Sequence, residues 1–206
     1  MRRSYFFVRH GQAIYQQRGF DRSKYPRDID WPLSSLGEAQ AHQVAPRLLQ
    51  LGVERVVSSK LARARSTAAA IAERGHLPYE HQWGALNEIH PTRLRVGKQT
   101  TEQDRWSWFD GWRAARAVRA SVLTGVTPPG WDLRNPRERA FTVLSRLDAM
   151  PAHRIAVCGH GYWILLASLF VRGKPRTRWI ANCSITRIDA DGAGKYRLVS
   201  FATIPR

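Results

Sequence analysis

Cysteine is scarce: Cys158 and Cys183 are the only two in 206 residues. Two are too few for a disulfide framework, and neither sits in a CxxC or Cys/His spacing that would suggest zinc. They read as free, buried thiols of a reducing compartment. Long apolar runs are also missing. No stretch of 18 apolar residues occurs, which excludes a spanning helix, and the few apolar residues between "MRR" and Arg9 are too short for a signal peptide. A soluble, cytoplasmic protein is expected, with no membrane partner. No Gly/Ser-rich or charge-block linker divides the chain, so residues 1–206 are expected to form one domain with a sizeable core. Acidic residues are the last scarcity, 16 against 33 basic ones of which 28 are arginine, for a net charge of +17. Two readings compete for this excess: a field that gathers polyanions such as nucleic acid, or an arginine-rich solvated surface. No long basic block decides between them.

What is present is a regular alternation of strand and helix patterns. Residues 4–8 read as a buried strand, short, aromatic and β-branched, running into a glycine. A polar loop, 12–32, leads to "PLSSLGEAQAHQVAPRLLQLG", where Ser35 can cap a helix with Glu38 three residues on, and Gly52 ends it. Pro46 predicts a kink or break there. Residues 55–58 suggest a second strand. "KLARARSTAAAIAERG" then spaces Leu61, Ala64, Ala68 and Ile71 on one helical face before a terminal Gly75. Asn135, Pro136 and Glu138 mark the start of a helix reaching about Met150. Strand "RIAVCGHG", helix "YWILLASLFV" and strands at 184–188 and 196–201 follow. The expected fold class is therefore α/β: a three-layer α/β/α sandwich with a mainly parallel central sheet, which binds ligands beyond the carboxyl ends of its strands.

Of seven histidines, only His10 and His160 stand in the order strand, histidine, glycine. Gly11 and Gly161 would let the backbone turn and approach a ligand closely. Paired imidazoles suit catalysis or metal binding, and metal is the weaker reading because no HExxH or carboxylate–histidine cluster is visible. Arg9 beside His10 adds a planar, permanent cation that matches phosphate oxygens. A phosphoryl group is the natural guest.

With these motifs in order, the sequence resembles the histidine phosphatase superfamily, phosphoglycerate-mutase-like branch. The match runs through "VRHGQA", "DWPLSSLGEAQA", "VVSSKLARARSTA", "LNEI", "VCGHG" and "NCSIT". The resemblance implies that His10 is the nucleophile and that Arg9, Arg63 and His160 clamp the nonbridging oxygens. It implies that Glu88 acts first as general acid and then as general base, with no metal or other cofactor. Gly11, Gln16 and Gly161 fall among the residues expected to touch substrate. Ala13 stands where many members carry Thr or Ser, Gln16 where they carry Asn, and "GWDLRN" where they carry G-E-S, so the pocket is expected to differ there. Between about 91 and 135 lies a Trp/Arg-rich insertion whose Trp108 and Trp112 would share a helical face, either covering the organic part of a substrate or packing as core. The implied activity is hydrolysis of a small phosphomonoester. A phosphoglycerate-mutase-type transfer, a protein phosphohistidine or phosphotyrosine phosphatase, and a polyanion binder with a vestigial site are the alternatives. The sequence fixes no oligomeric state.

Overall fold

The apolar strand patterns at 4–8, 55–58 and 154–159 require cover on both faces, and the computed structural model of the chain shows how it is supplied. It describes residues 2–21, 24–25, 29–88, 116, 134–171 and 180–204. Strand β1 (Arg3–Arg9) is followed by a 3₁₀ turn (Ile14–Gln16), α1 (Ser35–Gln50), β2 (Arg55–Ser58), α2 (Ala62–Gly75), β3 (Tyr79–Glu80) and a second 3₁₀ turn (Gly84–Leu86). After the undescribed stretch come α3 (Arg134–Asp148), β4 (Arg154–Gly159), α4 (Gly161–Phe170), β5 (Ile185–Ala190) and β6 (Tyr196–Thr203).

The strands form one sheet in the order β3-β2-β4-β1-β5-β6. Pairs β3/β2, β2/β4 and β4/β1 are parallel, while β1/β5 and β5/β6 are antiparallel, so β5 alone runs against the rest. The sheet is thus mixed, where the sequence led to the expectation of a mainly parallel one. Period-2 alternation sorts the side chains. Tyr5, Phe7, Val57, Ile155 and Val157 point to one face, where Leu144 and Leu147 of α3 and Trp163 and Leu166 of α4 cover them. Phe6, Val8, Val56, Ala156 and Cys158 point to the other, under Val44 and Leu48 of α1 and Ala68 and Ile71 of α2. This is the α/β/α sandwich. Both cysteines are free and buried in the second of these cores, and burial pushes both thiols up.

Several local expectations shift. The cap of α1 is Ser34, whose Oγ accepts the Gly37 N–H, rather than Ser35. Pro46 does not break α1, which is continuous from 35 to 50. The left-handed residue that closes α2 is His76, φ 49°, with Gly75 still inside the helix. Helix α3 already starts at Arg134, one residue before the expected cap. The two-residue β3 has no sequence signal, being shorter than any period can register. The Trp108/Trp112 insertion lies outside the described residues. Among the described residues no helix is long and apolar enough to cross a membrane.

Candidate active site

Register builds the site. β1 and β4 are parallel neighbours whose last paired residues are Arg9 and Gly159, so the next residues, His10 and His160, emerge side by side at one sheet edge. Their rings lie 5.2 Å apart, tilted by 60°. β2 pairs with β4 up to Ser58 and Cys158, which brings Ser59 against His160 and starts α2 three residues later, with Arg63 in its first turn. Arg9, His10, Arg63 and His160 are all buried.

Proton positions follow from the partners. His10 Nδ1 lies 2.7 Å from the carbonyl oxygen of Gly11, which can only accept, so Nδ1 carries the hydrogen. Nε2 is then a lone pair, and the Arg63 Nε–H donates to it at 3.2 Å. Burial, then Arg63 and Arg9, hold the His10 imidazole well below its usual range, so the ring is neutral. His160 is also held well below that range, by burial first and then by His10, Arg63, Arg9 and Arg139. Its Nε2 is 2.8 Å from Ser59 Oγ, which also accepts the Leu61 N–H at 3.4 Å. If Nε2 held the hydrogen, the Ser59 hydroxyl proton would have no acceptor among the described residues. We therefore assign the Ser59 O–H as donor to Nε2. His160 Nδ1–H is then a buried donor with no hydrogen-bond partner among the described residues.

The charges are unequal. Arg9 donates through Nη1 to the Ile180 carbonyl, and burial lowers its pKa while Glu88 opposes that fall. Arg63 is 3.9 Å from Asp30, whose two carboxylate oxygens also accept the Ala62 N–H at the start of α2. Glu88 Oε1 accepts the Trp163 N–H at 3.0 Å, in the first turn of α4, where His160 as N-cap makes no side-chain cap of its own. Arg139 donates to the carbonyls of Ala85 and Asn87, fixing the segment that carries Glu88. Two buried arginines, one lone-pair nitrogen and one unmatched N–H form a cradle for a tetrahedral anion. Among the described residues no group of three His, Cys, Asp or Glu could hold a metal ion.

The remaining sequence candidates among the described residues also make contacts within the protein. A Cβ on Gly11 would meet the Gly37 carbonyl oxygen at 2.3 Å, so this glycine permits a backbone-to-backbone contact with α1. Gly161 makes room for the Arg9 side chain, 3.3 Å from where a Cβ would stand. Gln16 uses Oε1 to accept from Ala13 N–H and the Asn182 amide, so only its Nε2 remains for a phosphate. Sequence reasoning missed Ser59, Thr67, Asn182, Asp30, Arg139 and Tyr15. Thr67 Oγ1 accepts the Gly11 N–H, and Asn182 Nδ2 donates to the His10 carbonyl at 2.8 Å. Asn182 sits there because Cys183, in the left-handed region at φ 54°, turns the chain back onto Arg9. Four of the six lie inside the recognised motifs and could have been found by asking what each motif polar group holds; Arg139 and Tyr15 carry no such signal.

A sequence profile described as histidine phosphatase superfamily (branch 1) matches residues 5–203. The chain belongs to this superfamily. Among curated relatives of this histidine phosphatase, the probable phosphoglycerate mutase GpmB of Escherichia coli is 26% identical over 191 residues, covering 89% of the chain and 83% of that protein. Among solved structures, the mycobacterial glucosyl-3-phosphoglycerate phosphatase Rv2419c superposes with TM-score 0.65 at 22% identity, covering 99% of this chain and all of that one. The phosphoglycerate mutase of Bacillus anthracis superposes with TM-score 0.67 at 17% identity, over 98% and 93% of the two chains. The fold is the phosphoglycerate-mutase-like one, and the histidine phosphatase is an enzyme of phosphatase or mutase type.

Proposed function

We propose that the protein is a metal-independent phosphatase that hydrolyses a small phosphomonoester through a phosphohistidine on His10. One observation carries the reading: the His10 Nε2 lone pair faces Arg63 while Nδ1 is tied to the Gly11 carbonyl. Nε2 attacks phosphorus as the ester P–O bond breaks, and the Gly11 carbonyl stabilises the positive charge that the ring acquires. Arg9, Arg63 and the His160 Nδ1–H hold the three nonbridging oxygens. Glu88 gives a proton to the departing alkoxide. It then takes one from the water that attacks the phosphohistidine, releasing inorganic phosphate and restoring neutral His10. The net charge of +17 draws such anions in, and the 91–135 insertion with Trp108 and Trp112 is the proposed cover of the organic part.

Transfer back to a second hydroxyl of the same molecule is the other reading, favoured by the mutase name of the 26% identical relative. Phosphate release from a generic aryl phosphate, sugar phosphates, nucleotides and phosphoglycerates, with isomer interconversion of the last followed in parallel, measured with chelator present in wild type and His10→Ala, tests both. Release by the wild type, with an acid-labile phosphoenzyme that His10→Ala lacks, is expected. Interconversion of phosphoglycerate isomers without net phosphate release favours transfer. Equal release by wild type and His10→Ala overturns the phosphohistidine mechanism.

A further inference from the structure

The loop between β1 and α1, polar by composition, holds an aromatic cluster. Its base is pinned by the Ser34 N–H donating to the Gln12 carbonyl at 2.9 Å and by a bridge between Ala13 and Leu33. Inside it Trp31, 6% exposed, is met edge-on by Phe20 at 5.1 Å, Tyr25 at 5.2 Å and Tyr15 at 6.4 Å. Phe20 and Tyr25 stack on each other at 5.1 Å with planes 14° apart, and Tyr25 stays 46% exposed.

This cluster is joined to the phosphate cradle. The Arg63 guanidinium lies over the Tyr15 ring, 5.7 Å from its centroid, and the same side chain donates to His10 Nε2. Asp30, next to Trp31, holds the start of α2 and pairs with Arg63. A phosphoryl group held by Arg63 would lie beside Tyr15, within reach of a group attached to its ester oxygen. A planar ring there gains stacking and edge contacts with these aromatic side chains.

We propose that the alcohol side of the substrate is a planar aromatic group and that Tyr15 is its specificity-determining contact. The proposal rests on the phosphatase reading for the word substrate, and on the Tyr15–Arg63 geometry for the ligand class.

Binding of two non-hydrolysable probes, 1-naphthylphosphonate and methylphosphonate, to wild type, Tyr15→Phe and Tyr15→Ala by titration calorimetry tests it. Melting curves verify that each variant is folded. The naphthyl probe is expected to bind wild type and Tyr15→Phe about tenfold more tightly than the methyl probe, and Tyr15→Ala with most of that preference gone. Taking the ratio of the two probes cancels any effect of Tyr15 on Arg63 and phosphate. Equal affinities in wild type, or a preference undiminished in folded Tyr15→Ala, overturn the proposal. Turnover of 1-naphthyl phosphate, run in parallel, separates the two readings. Selective binding without turnover upholds the ligand class and defeats the phosphatase, whereas turnover of many esters with no aromatic preference in binding does the reverse.

Discussion

Strand β1 carries polar residues at both ends, and the ends are opposites. At its start, Ser4 and Arg187 together donate to both oxygens of Asp189, at 2.7–3.1 Å. Arg3 donates to the carbonyls of Met150 and Ala152, and the phenols of Tyr5 and Tyr196 donate to the two oxygens of Asp148. Carboxylates there are matched by donors within the protein. At its tip, Arg9 and Arg63 stand close enough for Arg63 to lower the Arg9 pKa, both imidazoles are kept neutral, and the His160 Nδ1–H has no partner among the described residues. One end is complete and holds the sheet to its helices; the other gathers two arginines and a donor unmatched among the described residues. Polar burial alone identifies neither, and the donor–acceptor balance separates them.

The largest effect expected to sharpen this contrast is at the tip. Arg63→Ala should lower kcat/KM by about 10³-fold, as loss of a cation on a transferring phosphoryl group does, while leaving urea stability unchanged or raised because a buried cation is relieved. A parallel loss of stability would break the comparison. Asp189→Ala should do the opposite, costing about 2–3 kcal/mol of unfolding free energy by stranding Ser4 and Arg187, with turnover per folded molecule unaltered. Third, Ser59→Ala should reduce kcat about tenfold by freeing the His160 tautomer, with rescue by Ser59→Thr. ¹⁵N shifts of the His160 ring provide the direct readout: wild type should carry its hydrogen on Nδ1, and the alanine variant should show a mixture.

The smallest effect concerns pH. His10 and His160 are neutral in the fold with pKa values below the unfolded value of about 6.5, so below that pH the unfolded chain binds more protons than the folded one. Their contribution to stability is therefore lost as pH falls from about 6.5 toward their folded pKa values, and is constant above it. His10→Gln should flatten part of that acid limb in urea titrations between pH 7 and 5. An acid limb of unchanged slope in His10→Gln would show that His10 is not held neutral.

Much of this was legible in the chain. The strands ending in Arg9-His10-Gly11 and His160-Gly161 read as buried because apolar runs covered on both faces leave no polar gap, and their parallel pairing then fixes the two histidines as neighbours. Glu88 and Arg63 were legible only through the motifs around them, since a lone glutamate or helix arginine is ordinarily solvated. The direction of β5 was not legible, because a strand shows its period but not its orientation. Asp30 and Asn182 lie inside recognised motifs that could have singled them out, although their partners were not legible from loop positions, whereas Tyr15 and Arg139 carry no such signal. Ser34 rather than Ser35 caps α1, a choice between two identical side chains that only the geometry of Gly37 makes.

The contact of Gly11 with Gly37 has a consequence for anyone who would redesign the pocket. Added Cβ atoms would fall 2.3 Å from the Gly37 carbonyl on one side and 2.0 Å from the Gln12 carbonyl on the other, main chain against main chain with no rotamer to yield. It works as a rigid weld between the helix and the turn that carries His10. A library that varies position 11 or 37 therefore displaces the main chain that carries His10 rather than sampling new specificities.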